Sequence, residues 1–393
     1  MRSRRVILIL ALLALCHFLV SCKQKSTPTP RPEANPIGTP IQITAPLGLP
    51  PVPVPADNPP TAETVALGRR LYYDTSLSVD NTVSCASCHD PKAGFCDGQQ
   101  FSDGVRKQKG NRNAPTVFNS AYYTTQFWDG RAPSLEKQAE GPVANPVEMG
   151  NTLEGVERKI NADPSYRAEF KKAFGADLIT YEMVEKSIAS FERTVVSGNS
   201  PFDRYMYGGD KKALSASAQR GLEVFRNPKK GNCAVCHTIG EKYALFTDNK
   251  FHNLGVGVKL GINGEAELTD LGRFKVTNVE TDKGAFKTPS LRNIALAAPY
   301  MHDGSHKNLK EVIDFYIGGG NSNPTRDKEI HPLDFLTGQE RGDLQEFLKS
   351  LTGEIPPNVG PPTSQQTFKR RKTRETESSD LQSVRLARMD HSP

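Results

Sequence analysis

Two five-residue stretches limit what this chain can become: "CASCH" at 85–89 and "CAVCH" at 233–237. A CxxC pair alone suits a redox dithiol or half of a zinc site. A histidine directly after the second cysteine turns each stretch into an attachment site for c-type haem. There the two thiols form thioethers with the vinyl groups and the histidine becomes the proximal iron ligand. Cys85, Cys88 and His89 form one such set; Cys233, Cys236 and His237 form the other. Two covalently bound haems c are expected, each in its own shell.

The flanking sequence repeats. Residues 114–142 align with residues 288–316 over 29 positions without a gap. Pro115 meets Pro289, Asn119 meets Asn293, and Asp129-Gly130 meets Asp303-Gly304. Before each CxxCH, "AETVALGRRLYYD" and "SASAQRGLEVFRN" carry apolar residues at helical spacing. "YEMVEKSIASFERTVV" reads as an amphipathic helix beginning near Thr180. "LTGQERGDLQEFLKSLTG" reads as a closing helix, with Thr337 as N-cap and Glu340 completing a capping box. Strand signals are few. The expected fold is all-α, with two cytochrome c-like haem domains related by internal duplication, over 61–200 and 201–355.

The ends have a different composition. Three arginines precede a 15-residue apolar run, Val6 to Val20, which is short for a membrane span and suits a signal peptide over residues 1–21. The run ends in "LVSC", similar to a bacterial lipobox, which implies lipidation of Cys22; Lys23 after it leans towards the outer membrane. Residues 27–60 hold 12 of the 29 prolines, so residues 22–60 are expected to be an extended tether. The polar, charged tail over 356–393 is expected to be disordered. Of the net charge of +6, residues 1–35 carry +5 and residues 364–393 carry +3, leaving −2 on the body. Nucleic acid is therefore a poor partner. Cys96 reads as a buried free thiol.

The chain resembles the bacterial dihaem cytochrome c peroxidases and the related MauG proteins. The resemblance runs from about 61 to 355 and rests on "CASCHDPKAGF", "GNRNAPTVFN", "FWDGRAPSLEKQAEGPVANPVEMG", "CAVCHTIG", "FKTPSLRNIALAAPYMHDG" and "LKEVIDFYIGGG". It implies that the N-terminal haem is the peroxide site, with Gln138 and Glu148 as its catalytic pair. A carboxylate beside an open iron can move a proton from the near to the far oxygen of bound peroxide. In many members a histidine after the first CxxCH blocks that iron until reduction. Val105 stands at its place here, and no histidine lies between His89 and His237, so an open N-haem is expected.

The second haem is expected to be capped. Met301 is one candidate, since thioether is a common ligand. The resemblance favours Tyr316, where peroxidases usually have methionine and MauG has tyrosine. The repeat pairs Tyr316 with Pro142, which cannot ligate. The resemblance also makes Trp128, the only tryptophan, a charge relay between the haems. It makes Asn113, Ala297 and Pro299 the ligands of one calcium, the last two through backbone carbonyls.

The leading expectation is a periplasmic peroxidase, lipid-anchored to the outer membrane. It would reduce hydrogen peroxide to water with electrons from a small cytochrome c or cupredoxin. Members are often homodimers. A MauG-like oxidase of a partner protein and a plain dihaem electron carrier are the alternatives.

Overall fold

The computed structural model describes residues 34–362. The signal peptide, Cys22 and the tail from 363 lie outside the described residues. No helix among the described residues is long and apolar enough to cross a membrane.

Helices carry the architecture. In chain order, the described α-helices of six residues or more are α1 (Ala62–Tyr73), α2 (Leu135–Ala144), α3 (Leu153–Ala162), α4 (Pro164–Phe174), α5 (Tyr181–Glu192), α6 (Pro201–Met206), α7 (Ala216–Arg226), α8 (Leu309–Ile317) and α9 (Gly338–Lys349). Both CxxCH motifs form single short turns. Two small antiparallel sheets interrupt the helical plan: β1 (Phe251–His252) pairs with β4 (Phe286–Lys287), and β2 (Val258–Leu260) pairs with β3 (Ala266–Leu268). The fold is thus helix-rich, with four short strands inserted between the second CxxCH and α8.

The main helix pairs are α1 on α5 and α7 on α9. A glycine sits at each crossing. A Cβ added at Gly68 would lie 1.8 Å from the Ser187 carbonyl oxygen, and one at Gly221 would lie 2.0 Å from that of Asp343. Only glycine lets the backbones approach so closely. Apolar side chains between Ala34 and Ile188 form one core, and those between Phe202 and Leu351 form another. The capping box expected at Thr337 and Glu340 is present, and Thr180 is the N-cap of α5.

The proline-rich stretch departs from the expected free tether. From Ala34 onward it lies on the helices. Prolines donate no backbone hydrogen bond, which leaves carbonyls of the stretch free to accept from elsewhere. Lys186 Nζ donates to Ala34 O, Tyr122 to Pro50 O, and Arg292 to Gly48 O at 2.6 Å. Leu49 is buried. Residues 356–362, expected to be disordered, also depart from that expectation: Val359 is buried, Tyr73 donates to its carbonyl, and Arg69 donates to Gly360 O and Pro361 O.

Candidate active site

Each CxxCH opens onto its own cavity. The first, of about 660 Å³, is lined by Cys85, Cys88 and His89. The second, of about 240 Å³, is lined by Cys233, Cys236 and His237. The two histidines are held alike. His89 Nδ1 lies 3.2 Å from Phe95 O and His237 Nδ1 lies 2.9 Å from Phe246 O. A carbonyl can only accept, so Nδ1 carries the proton and Nε2 keeps its lone pair. Burial lowers the pKa of both rings, favouring neutral imidazole. The thiols are free. Burial pushes Cys85 up, Cys88 up to about 11 and Cys233 up to about 12, which does not suit a thiolate zinc site or a reactive dithiol. Paired thiols, a neutral imidazole with a free lone pair and a roomy, largely apolar cavity fit a covalently attached haem at each motif.

The first cavity receives both expected peroxide-site residues. Gln138 comes from α2, which Ser134 caps. Glu148 comes from the turn after α2, beyond Pro142 and the C-cap Asn145. Asn145 Nδ2 donates to Glu148 Oε1 at 2.7 Å, and Glu148 N donates to Asn145 O. The loop after the first CxxCH clamps the same turn. Val105 N donates to Glu148 O at 2.8 Å, and Gly104 packs so tightly on Val147 O that a Cβ there would lie 1.8 Å away. Burial raises the Glu148 carboxyl pKa, against the opposing hydrogen bond from Asn145. The shift favours the protonated form relative to an exposed glutamate, the direction that suits a carboxyl exchanging a proton with bound peroxide. Val105 itself is fully buried in the core beside Met149.

Trp128 lines both cavities, as does Asn113. The indole Nε1–H donates to Asn113 O at 2.9 Å, and Lys287 N donates to Trp128 O at 2.8 Å. Tyr316, on α8, and Met301 both line the second cavity, while Pro142 lines the first. The Tyr316 hydroxyl has no hydrogen-bond partner among the described residues, and burial pushes its pKa up. Asn113, Ala297 and Pro299 come together on the wall of the second cavity. Asn113 Nδ2 donates to the carbonyls of Gln99 and Gln100, at 2.9 and 3.4 Å, which leaves Oδ1 as the amide atom of the type a hard cation takes. Cys96 is buried and lines the second cavity, although it follows the first CxxCH.

Several residues of the site carry no motif. Arg112 holds Asp270 through Nε and Nη2, at 2.7 and 3.0 Å, and Asp129 through Nη1 at 2.6 Å. This ion cluster ties Asp270, which follows the second CxxCH, to the stretch after the first CxxCH, beside the first cavity. His302 stacks on Phe286, with centroids 3.5 Å apart, and burial lowers its pKa to about 4. His252 sits between Asp248 and Asp327 near Cys236. Glu192, the last residue of α5, lines the first cavity. Its one sequence signal is an acid at the end of a helix that is otherwise suited to burial.

The comparisons place these features in a known class. A family model described as di-haem cytochrome c peroxidase matches residues 62–212. The methylamine utilization protein MauG of Methylorubrum extorquens is 41% identical over 306 residues, 77% of this chain and 82% of that protein. The cytochrome-c peroxidase IdrP1 of Pseudomonas sp. strain SCT is 38% identical over 332 residues, 78% of this chain and 86% of that protein. A crystal structure of a MauG-like protein associated with microbial copper homeostasis has a TM-score of 0.72 at 35% identity, covering 81% of this chain and 98% of that one. The chain belongs to the di-haem cytochrome c peroxidase family, which also includes the MauG proteins. Membership implies two c-type haems.

Proposed function

We propose that the chain is a periplasmic peroxidase, tethered to the outer membrane through Cys22. It reduces hydrogen peroxide to water with electrons from a small cytochrome c or cupredoxin. The observation that carries this reading is the meeting of Gln138, Glu148 and His89 in one cavity. Bound at His89, a haem iron with one open face would bind peroxide and supply electrons to its O–O bond. Glu148 takes the proton from the near peroxide oxygen and passes it to the far one, so that water leaves. Gln138 offers an amide donor that orients the substrate. The absence of a histidine between His89 and His237, with Val105 buried in the core, supports an open iron without prior reduction. Tyr316 would offer its hydroxyl oxygen to a haem held at the second site, whereas Pro142, its partner in the repeat, has no ligand atom to offer at the first. Trp128, lining both cavities, relays charge between them. Asn113, through its side-chain oxygen, and Ala297 and Pro299, through their carbonyls, would hold a calcium ion.

Matched backbone geometry supports a duplication of the two haem-binding halves. Asn119 and Asn293 have φ of 61° and 58°, and Phe127 and Met301 have φ of 67° and 72°. The isolated bridges Gln126–Ala132 and Tyr300–His306 match in the same way.

Tyr316 favours a second reading, a MauG-like oxidase acting on a partner protein. Against it, Trp128 is the only tryptophan and lies between the cavities, so no second indole leads onward to the surface.

The test is steady-state peroxide turnover by the haem-loaded protein and its Glu148→Gln variant, with electron paramagnetic resonance of the oxidised form. A high-spin signal, immediate reaction with peroxide and a loss on the order of 10²–10⁴-fold in the variant are expected. Unchanged turnover in the variant would leave an electron carrier as the better account.

A further inference from the structure

Reduction of one peroxide to two waters takes up two electrons and two protons. Glu148 only relocates a proton that peroxide already carries, so both extra protons must enter a largely closed cavity. The following inference rests on the peroxidase reading above and concerns where one of them comes from.

Glu192 ends α5 and is only 6% exposed, and it lines the same cavity as Gln138 and Glu148. Among the described residues its carboxyl has neither a hydrogen bond nor an ion pair. The one neighbouring cation is already committed: Arg193 binds Glu136 through Nη1 at 2.7 Å and Nη2 at 3.1 Å. Asn58 holds that same Glu136 at 2.7 Å. The other ionisable groups facing Glu192 are acids, Glu136 on α2, Tyr72 on α1 and Cys85 in the first CxxCH turn. An unpaired carboxylate in such surroundings is costly, and the group avoids the cost by keeping its proton. Burial, opposed by Arg193 and reinforced by Glu136, pushes the carboxyl up to about 8. A position needed only for packing would be served by an uncharged side chain.

We propose that Glu192 is a proton donor to the peroxide cavity, giving one of the two protons consumed as the second water forms. The carboxyl O–H bond breaks and a new O–H bond forms on the remaining peroxide oxygen. The two electrons come from the reduced cytochrome c or cupredoxin donor, and solvent restores the proton between turnovers.

The experiment compares the haem-loaded wild type with Glu192→Gln and Glu192→Asp. Infrared spectra read the carbonyl stretch of a protonated carboxyl, and turnover is measured against pH with peroxide and a reduced small cytochrome c. In the wild type we expect a protonated-carboxyl band at neutral pH that fades at alkaline pH. The Gln variant should lose that band. Its kcat should fall on the order of 10²-fold, with KM for peroxide unchanged and the alkaline limb of the kcat profile altered. The Asp variant should keep a band and recover part of kcat, and it carries the test alone if the Gln variant does not fold. An infrared difference spectrum without such a band overturns the proposal, and so does a variant whose kcat–pH profile superimposes on that of the wild type. A wild type with the band but no peroxide turnover overturns the peroxidase reading itself, and this donor role with it.

Discussion

Glu185 and Glu192 stand seven residues apart on α5, two turns along one face. Burial pushes both carboxyls up to about 8, aided at Glu185 by Glu140 and opposed there by Lys137. The sign of the stability effect follows. Between about pH 4.5 and 8 the folded chain holds protons that the unfolded chain releases, so stability falls as pH rises through that window. The slope is at most about 1.4 kcal/mol per pH unit for each group. Asp270 acts in the opposite direction. Burial would raise it, but the hydrogen bonds from Arg112 and Gly272 hold it down to about 2. Its contribution is present above the ordinary aspartate range and is lost as pH falls through about 2. The contribution of these two carboxyls is therefore largest near pH 5 and declines towards pH 8, so the urea midpoint of Glu185→Gln should rise relative to that of the wild type across this range. A difference between the two midpoints that stays constant from pH 5 to pH 8 would contradict the buried proton at Glu185. Neither glutamate could be recognised from its neighbours in sequence, because acids in helices usually face water.

The helices themselves were largely legible. Apolar spacing before each CxxCH marked α1 and α7, and the Thr337–Glu340 box marked the start of α9. Both signals are local, so they survive without knowledge of the partner. The crossings were not legible, because a glycine inside a helix reads only as a weak point. At Gly68 the missing side chain lets α1 rest on the backbone of α5 near Ser187. Gly68→Ala gains up to about 1 kcal/mol of helix propensity but forces the helices apart. A net loss of about 2 kcal/mol is expected from the overpacking, read as a lower thermal midpoint. A variant as stable as the wild type would show that the crossing relaxes freely. The four short strands also escaped the sequence reading. At two or three residues each, they are too short to display a period of two.

At the scale of the molecule, residues 34–60 of the stretch expected to hang free as a tether instead lie along the body. Its firmest hold is Arg292, 1% exposed at its side chain, which donates to Gly48 O and Ala244 O and pairs with the fully buried Asp203. Arg292→Met leaves Asp203 buried without its cation, for an expected loss of about 3–5 kcal/mol. Limited proteolysis should then cut the segment around Gly48 faster than in the wild type. Equal cutting rates would mean that the segment is held elsewhere.

The amino-acid order alone determined the attachment chemistry, since thioether formation needs two cysteines and a histidine at fixed local spacing. It also determined the helices flanking each motif, whose apolar period is written within a dozen residues. The tertiary structure decided which side chains share a cavity. It brought Gln138, Glu148 and Glu192 from two helices and a turn to the surroundings of His89, and it set Trp128 against both cavities. Those relations depend on helix crossings and on strapping segments more than a hundred residues apart in sequence, and no local pattern encodes distances of that kind.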